Sequence, residues 1–153
     1  MKLFEREVKV SVEKVADKIR INSSLNDTYH EMKVRLLVDP ETMEIKDINA
    51  AMGRVPYQIC QKAKEGVKSL IGLRIEPGIN RRVGELIGGT KGCVHLFGLL
   101  QESFKGAVQG RLSLATENLS EDEVISKLEE LLKGACLRYT DEHRNTRFCG
   151  NKN

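Results

Sequence analysis

The segment Gly88-Gly89-Thr90-Lys91-Gly92-Cys93-Val94-His95-Leu96 places a thiol and an imidazole two residues apart, behind a glycine-rich turn and ahead of an apolar helical pattern. A helix that starts at residues 90–92 puts Cys93 in its first turn. There the unpaired N–H groups and the positive end of the helix dipole favour a thiolate, the form that binds metals and attacks electrophiles. The plainer alternative is a small buried hydrophobe beside a turn. Two residues rotate a regular helix by about 200°, so Cys93 and His95 converge only if Cys93 lies in the irregular start.

Three chemistries follow from these residue types. A zinc or iron site needs three or four donors, and no CxxC or HxxxH pair supplies them locally. A metal site would draw on separated residues: Cys60, Cys93, His95 and His30, with Asp27 or Asp39 as oxygen donors. His143 and Cys149, near the carboxyl end, are weaker candidates. Nucleophilic catalysis would use Cys93 with His95 or His30 as base and Glu102 or Asp39 to orient that base. An anion nest would use the backbone of Gly88, Gly89 and Gly92 with Lys91, joined by Arg81 or Arg82. It would suit a phosphate, a carboxylate or the phosphates of coenzyme A. The stretch 84–91 imitates a P-loop, but Gly89 intrudes, Thr90 precedes Lys91, and the segment follows a helix instead of a strand.

The chain of 153 residues has room for one well-buried core. Charged residues reach 31% yet nearly balance at a net +3, which describes a solvated surface and not a nucleic-acid footprint. The start, Met1-Lys2-Leu3-Phe4-Glu5-Arg6-Glu7, lacks the apolar core of a signal peptide, and no apolar run approaches the roughly 20 residues that span a bilayer. A cytoplasmic setting is expected, with Cys60, Cys93, Cys136 and Cys149 reduced.

The elements that position these residues form an α+β pattern: an N-terminal antiparallel meander, then about four helices packed on one face. Val8, Val10 and Val12 alternate with polar residues; residues 18–22 repeat the pattern with Ile19 and Ile21; residues 22–27 read as turn or edge. Met32, Val34, Leu36 and Val38 mark a third strand and Ile45 and Ile48 a fourth, joined through a turn at 39–42. A helix then carries Ile59, Cys60, Ala63, Val67, Leu70 and Ile71 and stops at Gly72. Ile79, Val83, Leu86 and Ile87 define a second; Phe97, Leu100, Phe104 and Val108 a third, from Cys93. The fourth opens on a capping box at Ser120–Glu123 and closes at Gly134, with pairs Glu123–Lys127 and Glu129–Lys133. Residues 1–138 are expected as one domain and 139–153 as a polar tail.

Residues 27–109 resemble a bacterial family of unknown function. The matching letters are His30-x-Met32, Val38-Asp39, Val55-Pro56-Tyr57-x-x-Cys60, Leu70-x-Gly72-Leu73-Arg74-Ile75-x-Pro77-Gly78 and Gly88-Gly89-x-x-Gly92-Cys93-x-His95-Leu96. The link 27–30 is shorter than that pattern leads one to expect, which would leave a site there more open. The resemblance raises Cys60, Cys93, His95 and His30 above other residues. A more distant likeness, to NifU-type iron–sulfur scaffold proteins, places Cys60 and Cys93 in comparable positions but lacks their glycine-cysteine-glycine element and third cysteine. These features together lead to a metal- or iron–sulfur-handling accessory protein as the first expectation, with zinc or iron at Cys60, Cys93, His95 and His30 and a metal donor or acceptor protein as partner. A thiol-dependent or thioester-handling enzyme is the second, and a binding module for a small anion or a protein the third.

Overall fold

Alternating apolar and polar residues carry the chain through four strands in sequence order, β1 (Arg6–Val15), β2 (Lys18–Asp27), β3 (Glu31–Val38) and β4 (Ile45–Arg54), in a computed structural model that describes residues 1–143. Each strand pairs antiparallel with the next, giving the sheet order β1-β2-β3-β4 of an uninterrupted meander. The period of two sends Ile19, Ile21 and Leu25 of β2 to one face, opposite Val38, Leu36 and Met32 of β3, and all six are buried. Val8, Val10 and Val12 share that face by register, but on the edge strand Val8 and Val10 stay 43% and 39% exposed.

Residues 22–27 do not turn. They continue β2, because the polar residues alternate as the apolar ones do: Asn22, Ser24 and Asn26 face outward and Ser23 inward. The inward hydroxyl is satisfied. Ser23 Oγ lies 2.6 Å from Ser103 Oγ, and Ser103 donates to the Leu99 carbonyl at 2.9 Å, which leaves Ser23 as donor to Ser103. Between β1 and β2 the two-residue connection places Ala16 at φ 54°, a left-handed conformation unfavourable for a β-carbon. The β3–β4 turn is held by Asp39, whose Oδ1 accepts the Glu41 and Thr42 amides, both at 3.0 Å.

Beyond the sheet, residues 58–70 are not an α-helix but a 3-10 segment, Gln58–Leu70. Three residues per turn align positions 61, 64, 67 and 70 instead of the expected α-helical face. Along that line Val67 and Leu70 are buried and Gln61 Nε2 reaches the Met52 carbonyl at 2.7 Å, while Ile59 and Ile71 are exposed. Gly72 then turns the chain at φ 86°, and residues 72–75 run beside the start of β4, with the Ile45 amide donating to Leu73 O and the Ile75 amide to Met43 O. Arg74 pairs with Glu44 through an isolated antiparallel backbone bridge.

Helix α1 (Ile79–Ile87) buries Ile79, Val83 and Ile87, and helix α2 (Val94–Thr116) follows a single 3-10 turn, Gly89–Lys91. The inner face of α2 includes Leu96, Leu99, Leu100, Ser103, Phe104, Ala107 and two glycines; of the expected stripe Leu100 and Phe104 are buried, Phe97 is half-buried and Val108 is exposed. Those glycines admit β1: a β-carbon at Gly106 would stand 2.7 Å from Val10 Cγ1, and one at Gly110 would stand 2.6 Å from Val12 Cγ1.

Two compact units result, Met1–Arg111 and Leu112–Asn153, divided within α2. The first holds the sheet, the 3-10 segment, α1 and most of α2. The second contains α3 (Glu121–Leu131), whose Ser120–Glu123 capping box forms, with Glu123 accepting from the Ser120 amide at 2.8 Å. That engagement occupies Glu123. Lys127 pairs with Glu130 and Glu129 with Arg138, in place of the expected spacing-four pairs. The turns Leu137–Tyr139 and Asp141–His143 follow; the remainder of the expected tail, with Cys149, lies outside the described residues.

Candidate functional site

Asp27 ends β2 and His30 precedes β3, so the short link between these strands holds both. The Asp27 amide donates to His30 O at 2.9 Å, and Asp27 Oδ1 accepts the Tyr29 and His30 amides at 2.8 and 2.7 Å. This tight turn swings the imidazole back onto its own anchor: His30 Nδ1 is 3.0 Å from Asp27 Oδ1. Across the β1–β2 register, Arg6 faces Asp27 and donates to Oδ2 from Nε at 2.8 Å and from Nη2 at 2.6 Å. Arg54 of β4 adds a bond from Nη2 to the Asp27 carbonyl at 2.6 Å.

The Asp27 side chain is fully buried. Burial opposes its charge, but the Arg6 guanidinium and the Tyr29 and His30 donors outweigh that cost and hold the carboxyl well below the usual carboxylate range. An ionised carboxylate only accepts, so the Nδ1 of His30 carries the shared proton, and in the neutral ring Nε2 is the acceptor.

His95, in the first turn of α2, lies against His30 with ring centroids 3.9 Å apart and planes at 38°. Burial lowers its basicity first, and the nearby His30 and Arg6 charges add to that, against a smaller opposing pull from Asp27. Two imidazoles thus meet at the junction of the sheet corner and α2, one oriented by a carboxylate and one disfavoured as a cation. His30 is itself buried, so the short link closes down on this ring and does not open it.

Cys93 is half-buried directly before α2, with its carbonyl accepting the Phe97 amide at 2.9 Å. It therefore occupies the helix-capping position, from which a side chain addresses the amides of the second and third helical residues, here His95 and Leu96. Cys60 is half-buried near the start of the 3-10 segment, and Cys136 is exposed in the second unit.

Of the four expected metal donors, His30 and His95 come together. Among the described residues no three His, Cys, Asp or Glu side chains are grouped to hold a metal ion, so Cys60 and Cys93 do not complete a set with the histidines. The donors as arranged do not fit the three- or four-ligand demand of zinc or the converging thiolates of an iron–sulfur cluster.

The glycine turn has a packing role. A β-carbon at Gly88 would run into the Gly84 carbonyl, and one at Gly92 into the Ile87 carbonyl. The amides of Lys91 and Gly92 donate inside the turn, to Gly88 O and Gly89 O, and Lys91 Nζ caps the Glu85 carbonyl at 2.9 Å. The expected base-orienting carboxylates are engaged elsewhere: Glu102 pairs with Lys105 at the surface, and Asp39 holds its turn. Asp27 takes that part instead. Its separation of three residues from His30 was the available signal; the contribution of Arg6 depends on strand register, which is fixed only by pairing.

The fold is a meander-first α+β domain whose buried polar centre joins a carboxylate-bound histidine to a second imidazole. The chain belongs to the family described as protein of unknown function (DUF2889), which matches residues 5–109. No curated protein and no solved structure matches it. Among the described residues no helix is long and apolar enough to cross a membrane.

Proposed function

We propose that this domain is a thiol-dependent enzyme in which Cys93 is the nucleophile and the Asp27–His30–His95 centre handles the proton. The bond between His30 Nδ1 and Asp27 Oδ1 carries the reading, because it supplies the oriented base that a nucleophile–base arrangement requires. In this scheme the Cys93 thiol loses its proton to an imidazole, the sulfur attacks an activated acyl carbon, and the departing group takes the proton back. His30, held at Nδ1 by Asp27, is the acceptor through Nε2, and burial disfavours the cationic form of the neighbouring His95. A reducing, cytoplasmic setting would keep the thiol available.

p-Nitrophenyl acetate tests this. Wild-type protein should release a burst of nitrophenol near one equivalent and carry the acetyl group on Cys93. Cys93→Ala should abolish the burst, and His30→Gln should slow it by about tenfold or more. Acetylation without preference for Cys93, at a rate unchanged in His30→Gln, would refute the proposal.

Metal handling is the second reading, favoured by one observation: a carboxylate that binds one nitrogen of a histidine is also how metal-ligating imidazoles are oriented. Here the protein contributes His30 and His95 and a metal donor or acceptor protein supplies the rest, as the likeness to NifU-type scaffolds motivates. Metal content after oxygen-free purification should fall in His95→Ala if this reading holds, and be the same in both proteins if it does not.

A further inference from the structure

The outer face of the sheet is a trough of about 870 Å³ whose polar lining the Asp27–His30–His95 centre does not use. Strand register arranges it in rows. Ser11, Asn22, Arg35 and Asn49 sit side by side across β1 to β4, and the neighbouring row is Lys9, Ser24, Lys33 and Ala51. Lys33 and Arg35, two residues apart on β3, project from the same face about 6.6 Å apart. Lys9 stands two strands away, across Ser24, at twice the strand spacing of about 4.8 Å. Three cations therefore surround a floor of hydroxyls, amides and a methyl group.

Their pairing is uneven. Lys9 has Glu7 at 3.1 Å and Lys33 has Glu31 at 4.0 Å, whereas Arg35, flanked by Asn22 and Asn49, has no ion-pair partner among the described residues. The ends of the trough carry the opposite sign. One bordering row holds Glu7, Asn26, Glu31 and Arg54 and the other Glu13, Arg20, Leu37 and Asp47, so acids outnumber bases in each. Net positive charge on the two central rows, with a net negative row on either side, suits a compact anion over a polyanion running along the strands. No aromatic residue lines the trough, so it offers no platform on which bases stack.

We propose that this face binds a small phosphorylated metabolite, with Arg35 and Lys33 holding phosphate oxygens, Lys9 adding charge, and Ser11, Ser24 and Asn49 available to hydroxyl groups, while the Asn22 amide is held by Glu13. Arg35 is the anchor, since a planar guanidinium donates two parallel bonds to a phosphate. The proposal stands independently of the thiol chemistry.

Inorganic pyrophosphate titrated into the full chain, followed by amide shifts in NMR, tests it. Saturable shifts confined to residues 9–11, 22–24, 33–35 and 49–51 are expected. Arg35→Gln should weaken binding about tenfold with an unchanged unfolding midpoint, Arg35→Lys should lose less, and Lys91→Ala should bind as wild type. No shift at millimolar pyrophosphate, shifts centred on residues 88–92, or equal affinity in Arg35→Gln would overturn it. Tighter binding of a single-stranded oligonucleotide at the same residues would also overturn it, by showing the occupant to be an extended polymer.

Discussion

His30 Nδ1 stands 3.0 Å from Asp27 Oδ1, three residues apart in a link that also gives both Asp27-bound amides their partner. One carboxylate thus closes the β2–β3 corner, fixes an imidazole and neutralises Arg6. Structure and site chemistry share a single group, and substitutions there should affect both.

Asp27→Asn keeps the shape of the side chain but removes the charge facing Arg6 and His30. Because the Asp27 side chain is fully buried while that of Arg6 retains 33% exposure, the loss should fall near the lower end of the range for broken buried pairs, about 3 kcal/mol. Urea unfolding at neutral pH would measure it. A loss too small to detect would mean that Arg6 and His30 find other partners.

Acid should weaken the fold through two groups acting in the same direction. The Asp27 carboxyl is lowered on folding, so its contribution is complete above the unfolded value of about 3.9 and is lost as pH falls from there toward the folded value. His95 is also lowered on folding, so protonation favours the unfolded chain, and stability declines as pH drops below about 6.5 through the folded value. His95→Gln should flatten the stability profile between neutrality and mild acid and leave the more acidic limb, which Asp27→Asn should reduce. Superimposable profiles for wild type and His95→Gln would remove His95 from this account.

Glycines separate by surroundings. Gly92→Ala drives a β-carbon into the Ile87 carbonyl, and the cost should exceed about 2 kcal/mol. Gly98 lies within α2 with open space around its missing β-carbon, so Gly98→Ala should stabilise by about 0.5–1 kcal/mol through helix propensity alone. Opposite signs in thermal melts would support both readings. Destabilisation by Gly98→Ala would show that something approaches that face of α2.

The hydroxyl pair offers a coupling test. Ser103→Ala should cost about 1–2 kcal/mol, because it leaves the buried Ser23 hydroxyl without its acceptor, and Ser23→Ala should cost less, because Ser103 keeps its bond to the Leu99 carbonyl. The double variant should cost less than the sum of the two. Strict additivity would mean the 2.6 Å contact contributes nothing of its own.

The strands were legible because Val34, Leu36 and Val38 alternate so regularly, and α3 because Ser120 and Glu123 stand at capping distance. Residues 22–27 misled, since a polar inward position such as Ser23 reads as surface until Ser103 is brought opposite it from α2. The 3-10 segment misled for another reason: Val67 and Leu70, three apart, fit either helical period, and the exposure of Ile59 and Ile71 is what goes against the α-helical face. Within the site, His30 and His95 were both visible as residues, but their stacking depends on where α2 meets the sheet corner. Arg6 was invisible as a partner of Asp27, because 21 residues and a strand register separate them. The cysteines had the right chemistry, yet helix start and 3-10 segment hold Cys93 and Cys60 in separate elements.

The most direct test of the central claim is the rate of Cys93 alkylation by iodoacetamide against pH, resolved by peptide mass spectrometry, in wild type, His30→Gln and His95→Gln. A thiol served by the imidazole pair predicts a wild-type profile with an inflection in the histidine range, and a rate at neutral pH reduced by about tenfold or more in both variants. Identical profiles in all three proteins, each rising only as an ordinary thiol ionises, would contradict it.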